Sequence, residues 1–137
     1  MKVDISARGL RGPRRAANVL TALLALLAVF QFTLVLGAPF GSAAWGGQHD
    51  VLPAALRAGG VAVIIFYAVV VWSVRRAADN GSKPFRIAVW AIAVGFLLSA
   101  VVNVASPSAW ERFLMAPLAL LVAALSYFVA RGAHDQQ

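Results

Sequence analysis

Cysteine is absent from the sequence. Disulfide staples, thiolate metal sites and thiol redox relays are thereby excluded, and with them one class of small four-helix membrane oxidoreductase. Charge is scarce as well: 12% of the 137 residues are Asp, Glu, Lys or Arg, far below the roughly 25% of an average soluble domain. Histidine occurs twice, at His49 and His134. Two histidines far apart gather neither a metal-ligand set nor a pair of haem ligands, so no metal and no other cofactor is expected.

What the chain does have is apolar length. Hydrophobic residues make up 61% of it, and they come in long blocks rather than in the alternation of a soluble core. A helix needs about 20 apolar residues to cross the hydrocarbon layer. Four segments qualify, at 16–37, 54–74, 85–105 and 109–130, which predicts an all-α transmembrane four-helix bundle forming one membrane domain over 16–131. A basic tail, 1–15, precedes it and a short tail, 132–137, follows. The breaks carry turn chemistry: Gly37, Pro39, Gly41, Gly46 and Gly47 in the first, Asp79-Asn80-Gly81 and Pro84 in the second, Ser106-Pro107-Ser108 in the third. Ser108 with Glu111 three positions on matches a capping box for helix four, with Ser106 before Pro107 as an alternative cap. Ser42-Ala43-Ala44 resembles a signal-peptidase site, but the apolar run before it is longer than the roughly 7–15 residues of a signal peptide.

Orientation follows from lysine and arginine, which concentrate in short cytoplasmic loops. Lys2, Arg8, Arg11, Arg14 and Arg15 precede helix one, Arg75, Arg76, Lys83 and Arg86 bracket the second break, and Arg131 follows helix four. Only Arg57 and Arg112 fall on the opposite side, so both termini are expected in the cytoplasm. Trp45 and Trp110 then sit at the outer interface, and Trp72 and Phe85 at the inner one. The formal net charge of +7 thus reads as a topology signal and not as a nucleic-acid footprint. The same basic residues can hold anionic lipid headgroups, at about 1 kcal/mol each.

Helix three places Ala91, Gly95, Ser99 and Asn103 four apart, a stripe of small residues that predicts close helix packing, within the bundle or between copies. Ala54, Ala58 and Ala62 form a weaker seam on helix two. Pro117, about two turns into helix four, should kink it and free a carbonyl near Phe113. Buried polar groups gather toward the outer face: Gln31, Trp45, His49, Asp50, Arg57, Asn103, Glu111 and Arg112. The inner half offers only hydroxyls, Thr21, Ser73, Ser126 and Tyr127, able to bond their own helix backbone. For His49-Asp50 the choice lies between acid–base work and an Asp50 N-cap for helix two, the cap being favoured. Arg57 is expected to pair with Glu111 or Asp50 and tie helix two to helix four. Gln31 and Asn103 are expected to share an interhelical hydrogen bond or to line a cleft. Arg112 points away from Glu111 and can reach lipid phosphate.

The runs Leu36-Gly37-Ala38-Pro39-Phe40-Gly41, Trp45-Gly46-Gly47-Gln48-His49, Leu52-Pro53 and Leu56-Arg57 resemble the first outer loop of a group of small bacterial four-span membrane proteins with no assigned activity. Asn103, Ser106, Ser108, Glu111-Arg112 and Met115-Ala116-Pro117 resemble their second. The resemblance implies a bacterial cytoplasmic (inner) membrane and an outer face that carries any specific function, and it transfers no residue role.

Three functions are compatible. An accessory or structural protein would use its outer face to bind a protein partner, a second copy or lipid headgroups. A small-substrate transporter or channel would need ionisable residues at mid-depth, which the spans lack. A membrane enzyme would need His49, Asp50 and Glu111 within reach of one another around a pocket. Because the chain has no native cysteine, orientation is directly testable. In intact cells a membrane-impermeant maleimide should label Gln48→Cys, and should label Asn80→Cys only after permeabilisation; the reverse pattern would invert the bundle.

Overall fold

The computed structural model describes the backbone of residues 5–134 and the side chains of residues 12–132. Lys2 and the side chains of Arg8, Arg11 and His134 lie outside the described residues. Four long helices are present: α1 (Ile5–Val35), α2 (Ala54–Asn80), α3 (Lys83–Ala105) and α4 (Ala116–His134). A π-helical turn, Glu111–Met115, leads into α4, and two 3-10 turns, Gly41–Ala43 and Trp45–Gly47, shape the α1–α2 loop. Among the described residues there is no strand. The segments Gly12–Val35, Ala54–Asn80, Lys83–Ala105 and Glu111–Gly132 are each long enough to cross a membrane, with mean hydropathy of 2.1 to 2.3. The chain is therefore an all-α multi-pass membrane protein. α1 begins inside the basic segment that the sequence reading treats as a tail, with Pro13 within the helix.

Helix ends follow from local chemistry. α1 closes in a Schellman motif: Ala38 N–H donates to the Thr33 carbonyl and Gly37 N–H to that of Leu34, each at 3.0 Å, with Gly37 at φ +92°. Gly81, at φ +60°, ends α2 in the same left-handed conformation, and its N–H reaches the Ala77 carbonyl at 3.0 Å. Pro84 lies in the first turn of α3, where its missing donor costs nothing. α2 is different from expectation. Its N-cap is Pro53, with no side-chain cap, while Asp50 is exposed and bonds through its backbone carbonyl, which accepts the Gly41 N–H at 2.8 Å. Leu52, buried between them, draws the chain inward and leaves Asp50 outside.

Hairpin neighbours pack most closely, α3 on α4 and α1 on α2; α1 also packs along α4, while α2 and α3 meet less. The end bearing the α1–α2 loop is called here the loop end and the other the termini end. The main apolar core lies in the termini half, around Leu20, Leu24, Val70, Val74, Val89 and Val122, each at most 1% exposed. Water exclusion cannot drive helices together in lipid, so contact density carries the association there. A second, small core of Leu34, Ala44 and Leu52, with Phe30, Trp45 and Leu56 against it, pins the loop.

The small-residue stripe of α3 does not pack inside the bundle. α3 buries Val89, Ala93, Phe96 and Ala100, whereas Ala91 and Gly95 are exposed and no atom lies within 4 Å of where a Gly95 Cβ would stand. The α2 seam is likewise exposed at Ala54, Ala58 and Ala62. The inward face of α3 is offset from the stripe, so Ala91 and Gly95 border an open groove. In place of a simple kink, Pro117 is preceded by the π turn, in which Ala116 N–H reaches the Glu111 carbonyl. The wider turn gives room where the proline ring would press on the Phe113 carbonyl.

Gly47 combines a left-handed backbone with a tight contact to the α3–α4 turn. It has φ +69°, and an added Cβ would lie 2.7 Å from Ser108 Cβ. Gly46, at φ +82°, has open space around the same position. Gly46→Ala should therefore cost only the left-handed backbone penalty of about 1–2 kcal/mol, and Gly47→Ala distinctly more. Thermal unfolding in mild detergent measures both; equal shifts would mean that the loop does not seat on Ser108.

Candidate functional site

The site begins with Glu111. Its side chain is 8% exposed, a costly position for a carboxylate unless donors surround it. Ser106 Oγ donates to Oε2 in a short hydrogen bond, and Gly46 N–H donates to Oε1 at 2.8 Å. Ser106 Oγ in turn accepts the Ser108 N–H at 3.1 Å, which leaves the serine proton for the carboxylate. Both carboxyl oxygens therefore accept. The capping box is half realised: Ser108 Oγ accepts the Glu111 N–H at 3.3 Å, but the Glu111 side chain turns to the loop instead of back to Ser108 N–H. Ser108 Oγ also donates to the Ser42 carbonyl at 2.8 Å, a second tie from the α3–α4 turn to the loop.

To bring Gly46 N–H onto Glu111, the loop runs through left-handed backbone at Trp45 (φ +55°), Gly46 and Gly47. Among the described residues Trp45 is the sole non-glycine with positive φ. A bulky residue there stores backbone strain, a condition that concentrates at functional sites. Its ring lies against Gly59 of α2, where a Cβ would come within 2.7 Å of the indole. The adjacent Gly60 faces Val35 and Gln31 of α1. The Gly59-Gly60 pair thus lets the indole and α1 approach α2 together.

Beneath the loop lies a cavity of about 240 Å³. Its polar lining is Gln31, Trp45, Tyr67, Ser99, Asn103 and Glu111, and Phe30, Phe96 and Met115 add apolar walls. Trp45 Nε1 and Gln31 Oε1 are buried with no hydrogen-bond partner among the described residues. The cavity reaches down to Tyr67, about 20 Å along α2 from its start at 1.5 Å per residue.

Four of the eight residues read from sequence as an outer polar site, Gln31, Trp45, Asn103 and Glu111, line this cavity. The others do not. His49 and Asp50 are exposed on the loop, with no hydrogen bond to Glu111 among the described residues, so the three do not form one centre. Arg57 pairs with neither Glu111 nor Asp50. Its Nε donates to the Val35 carbonyl at 2.6 Å, the C-terminal carbonyl of α1 that the Schellman motif leaves over. The helix dipole favours a cation there. Arg112 donates through Nη2 to the Ser106 carbonyl at 2.9 Å and lies near the Phe113 ring, so it clamps the α3–α4 turn. Among the described residues the one ion pair is Arg14–Asp79, 3.3 Å, exposed at the termini end.

The Gln31–Asn103 bond is also absent. Asn103 Nδ2 folds back onto its own helix, to the Ser99 carbonyl at 2.9 Å and Ser99 Oγ at 3.4 Å. In the termini half, Thr21 and Ser73 bond their own helices at Ala17 and Val69, but Ser126 Oγ is buried without a partner and Tyr127 accepts from Arg131. Tyr67 escaped the sequence reading. The available signal was a lone phenol inside an apolar span, a group that seeks company when buried. The role of Gly46 is a backbone donation that no side-chain pattern announces.

No protein-family model matches this chain, and neither do the curated proteins or the solved structures with which it was compared.

Ser106→Ala removes the Glu111 donor and the Ser108 N–H acceptor together. It should destabilise the protein by about 1–3 kcal/mol, read by unfolding in mild detergent. Ser126→Ala, which deletes a buried hydroxyl with no partner, should be neutral or stabilising. Similar losses for the two would show that the Ser106–Glu111 contact contributes nothing.

Proposed function

We propose that this chain is an accessory protein of the bacterial inner membrane, with both termini in the cytoplasm, and that its outer face binds a small polar ligand or lipid headgroup in the cavity beneath the α1–α2 loop. The observation that carries this reading is that two residues lining that cavity, Trp45 and Gln31, each bury a polar atom, the indole N–H and Oε1, that has no hydrogen-bond partner among the described residues. Leaving a buried donor or acceptor unmade costs about 1–3 kcal/mol each. A ligand with one acceptor and one donor recovers both terms, which makes the site selective for polar groups.

Size and depth support binding over conduction or catalysis. At about 240 Å³ the cavity falls just below the roughly 300–1,000 Å³ of drug-sized sites, so it suits a headgroup more than a cofactor. Below it, Leu20, Leu24, Val70, Val74 and Val122 close the bundle with apolar side chains, and a conducting path would need polar groups at that level. Glu111 is the lone carboxylate in the lining, without a histidine or second acid beside it. The resemblance to small four-span proteins of the bacterial membrane accords with the same placement.

Native mass spectrometry of the protein extracted in mild detergent tests the reading. The natural chain should retain a bound small molecule or lipid through detergent exchange, and Gln31→Leu/Trp45→Phe should lose it while remaining folded. A natural chain free of adduct, or an adduct kept by the double variant, would contradict the proposal.

A further inference from the structure

A second hollow of about 480 Å³ runs along the α2–α3 face, walled by Phe66, Ala91, Ile92 and Gly95. It shares Val63, Tyr67, Phe96 and Ser99 with the cavity beneath the loop. The two hollows are therefore neighbours, the first polar at the loop end and the second apolar toward mid-depth. The small residues of α3 make the groove possible, since Ala91 and Gly95 stand where larger side chains would fill it. From Ala91 to Ser99 it extends about 12 Å along the helix, and it opens on the face where α2 and α3 meet less closely than the hairpin pairs do.

At the polar end the Glu111 carboxyl has no cationic partner among the described residues. Among the described residues Glu111 accepts from two neutral donors, Ser106 and Gly46. Arg57 and Arg112, the arginines at that end, are committed to the carbonyls of Val35 and Ser106. A carboxylate has about four lone-pair positions, and these two donors leave part of that capacity unused. The same cavity is lined by the rings of Phe30, Trp45, Tyr67 and Phe96, and aromatic faces attract cations and repel anions. A carboxylate with aromatic walls selects an ammonium group, and an apolar groove leading from it selects a hydrocarbon chain.

We infer that the ligand of this site is a membrane amphiphile with an ammonium headgroup, its head against Glu111 and Trp45 and its chain lying in the α2–α3 groove. This rests on the binding function proposed for the cavity and names the class of molecule bound. Entry is lateral, from the bilayer between α2 and α3, which spares the loop from having to open.

The test uses the full chain with Trp72, Trp90 and Trp110 replaced by Phe, so that Trp45 is the sole indole, in a nonionic maltoside detergent. Dodecylamine should change Trp45 emission saturably and bind at least about tenfold more tightly than dodecanol, which has the chain without the charge. Glu111→Gln should weaken dodecylamine about tenfold. Gly95→Leu, which fills open space and so leaves folding intact, should weaken dodecylamine by a similar factor and leave butylamine unaffected. The comparison with dodecanol needs no change at Glu111 and decides the charge requirement even where Glu111→Gln fails to fold. Dodecanol binding as tightly as dodecylamine would overturn the ammonium assignment. Dodecylamine binding indifferent to Gly95→Leu would overturn the groove, and butylamine binding that requires Glu111 would then leave the cavity standing as a headgroup site. Silence of Trp45 toward every probe, in a chain that also carries no adduct by mass spectrometry, would remove both the inference and the function beneath it.

Discussion

A carboxylate buried at the end of a membrane helix must find hydrogen-bond donors or be neutralised, and the loop end of this protein is organised around that demand at Glu111. One donor, Ser106, comes from the turn just before it. The other is the amide of Gly46, sixty-five positions away along the chain. Reaching it obliges the loop to pass through three left-handed residues, to press the Trp45 indole onto Gly59 and to seat Gly47 against Ser108. The α1 terminus joins the same structure through Arg57 on the Val35 carbonyl. Each of these contacts alone is worth little more than a kilocalorie or two, but they share residues, so losing one loosens the rest.

Division of labour between the two halves follows from the solvent. In the termini half, tight apolar contacts of Leu20, Val70, Val74 and Val122 hold the helices. In the loop half, side chains are drawn up to serve polar groups, and the bundle beneath them is left less filled. The cavity and the α2–α3 groove are what remains when Glu111 and Asn103 satisfy local demands instead of packing. Two polar atoms, on Gln31 and Trp45, stay unmet in the process, and their cost is the physical reason to read the space as a binding site.

Much of the architecture was legible because hydropathy, turn residues and helix length are local properties. Four spans, the turns at Gly37 and Gly81, and the gathering of polar groups at one end all follow from runs of residues. Pairing was not legible. Arg57 looked like an ion-pair partner because charge is visible in a sequence, whereas the unmet carbonyl of Val35 is not. Gln31 and Asn103 sit at matching depths, yet Asn103 bonds within its own helix, which is always within reach. The Ala91-Gly95-Ser99 spacing correctly marks one face of α3, but spacing does not tell whether another helix fills that face. Asp50 has the right spacing for a cap, and Leu52 turns the chain away from it. The Gly46 contact depends on backbone conformation alone and leaves no compositional trace.

Amide hydrogen exchange at Gly46 probes the Glu111 contact most directly. In the natural chain in mild detergent this loop amide should be protected well beyond its exposed neighbours Gln48 and His49. Glu111→Ala should abolish that protection while the amides of the α2 core segment around Val70 and Val74 stay protected. A Gly46 amide that exchanges freely in the natural chain, or that stays protected without the carboxylate, would show that the loop end is not built on Glu111.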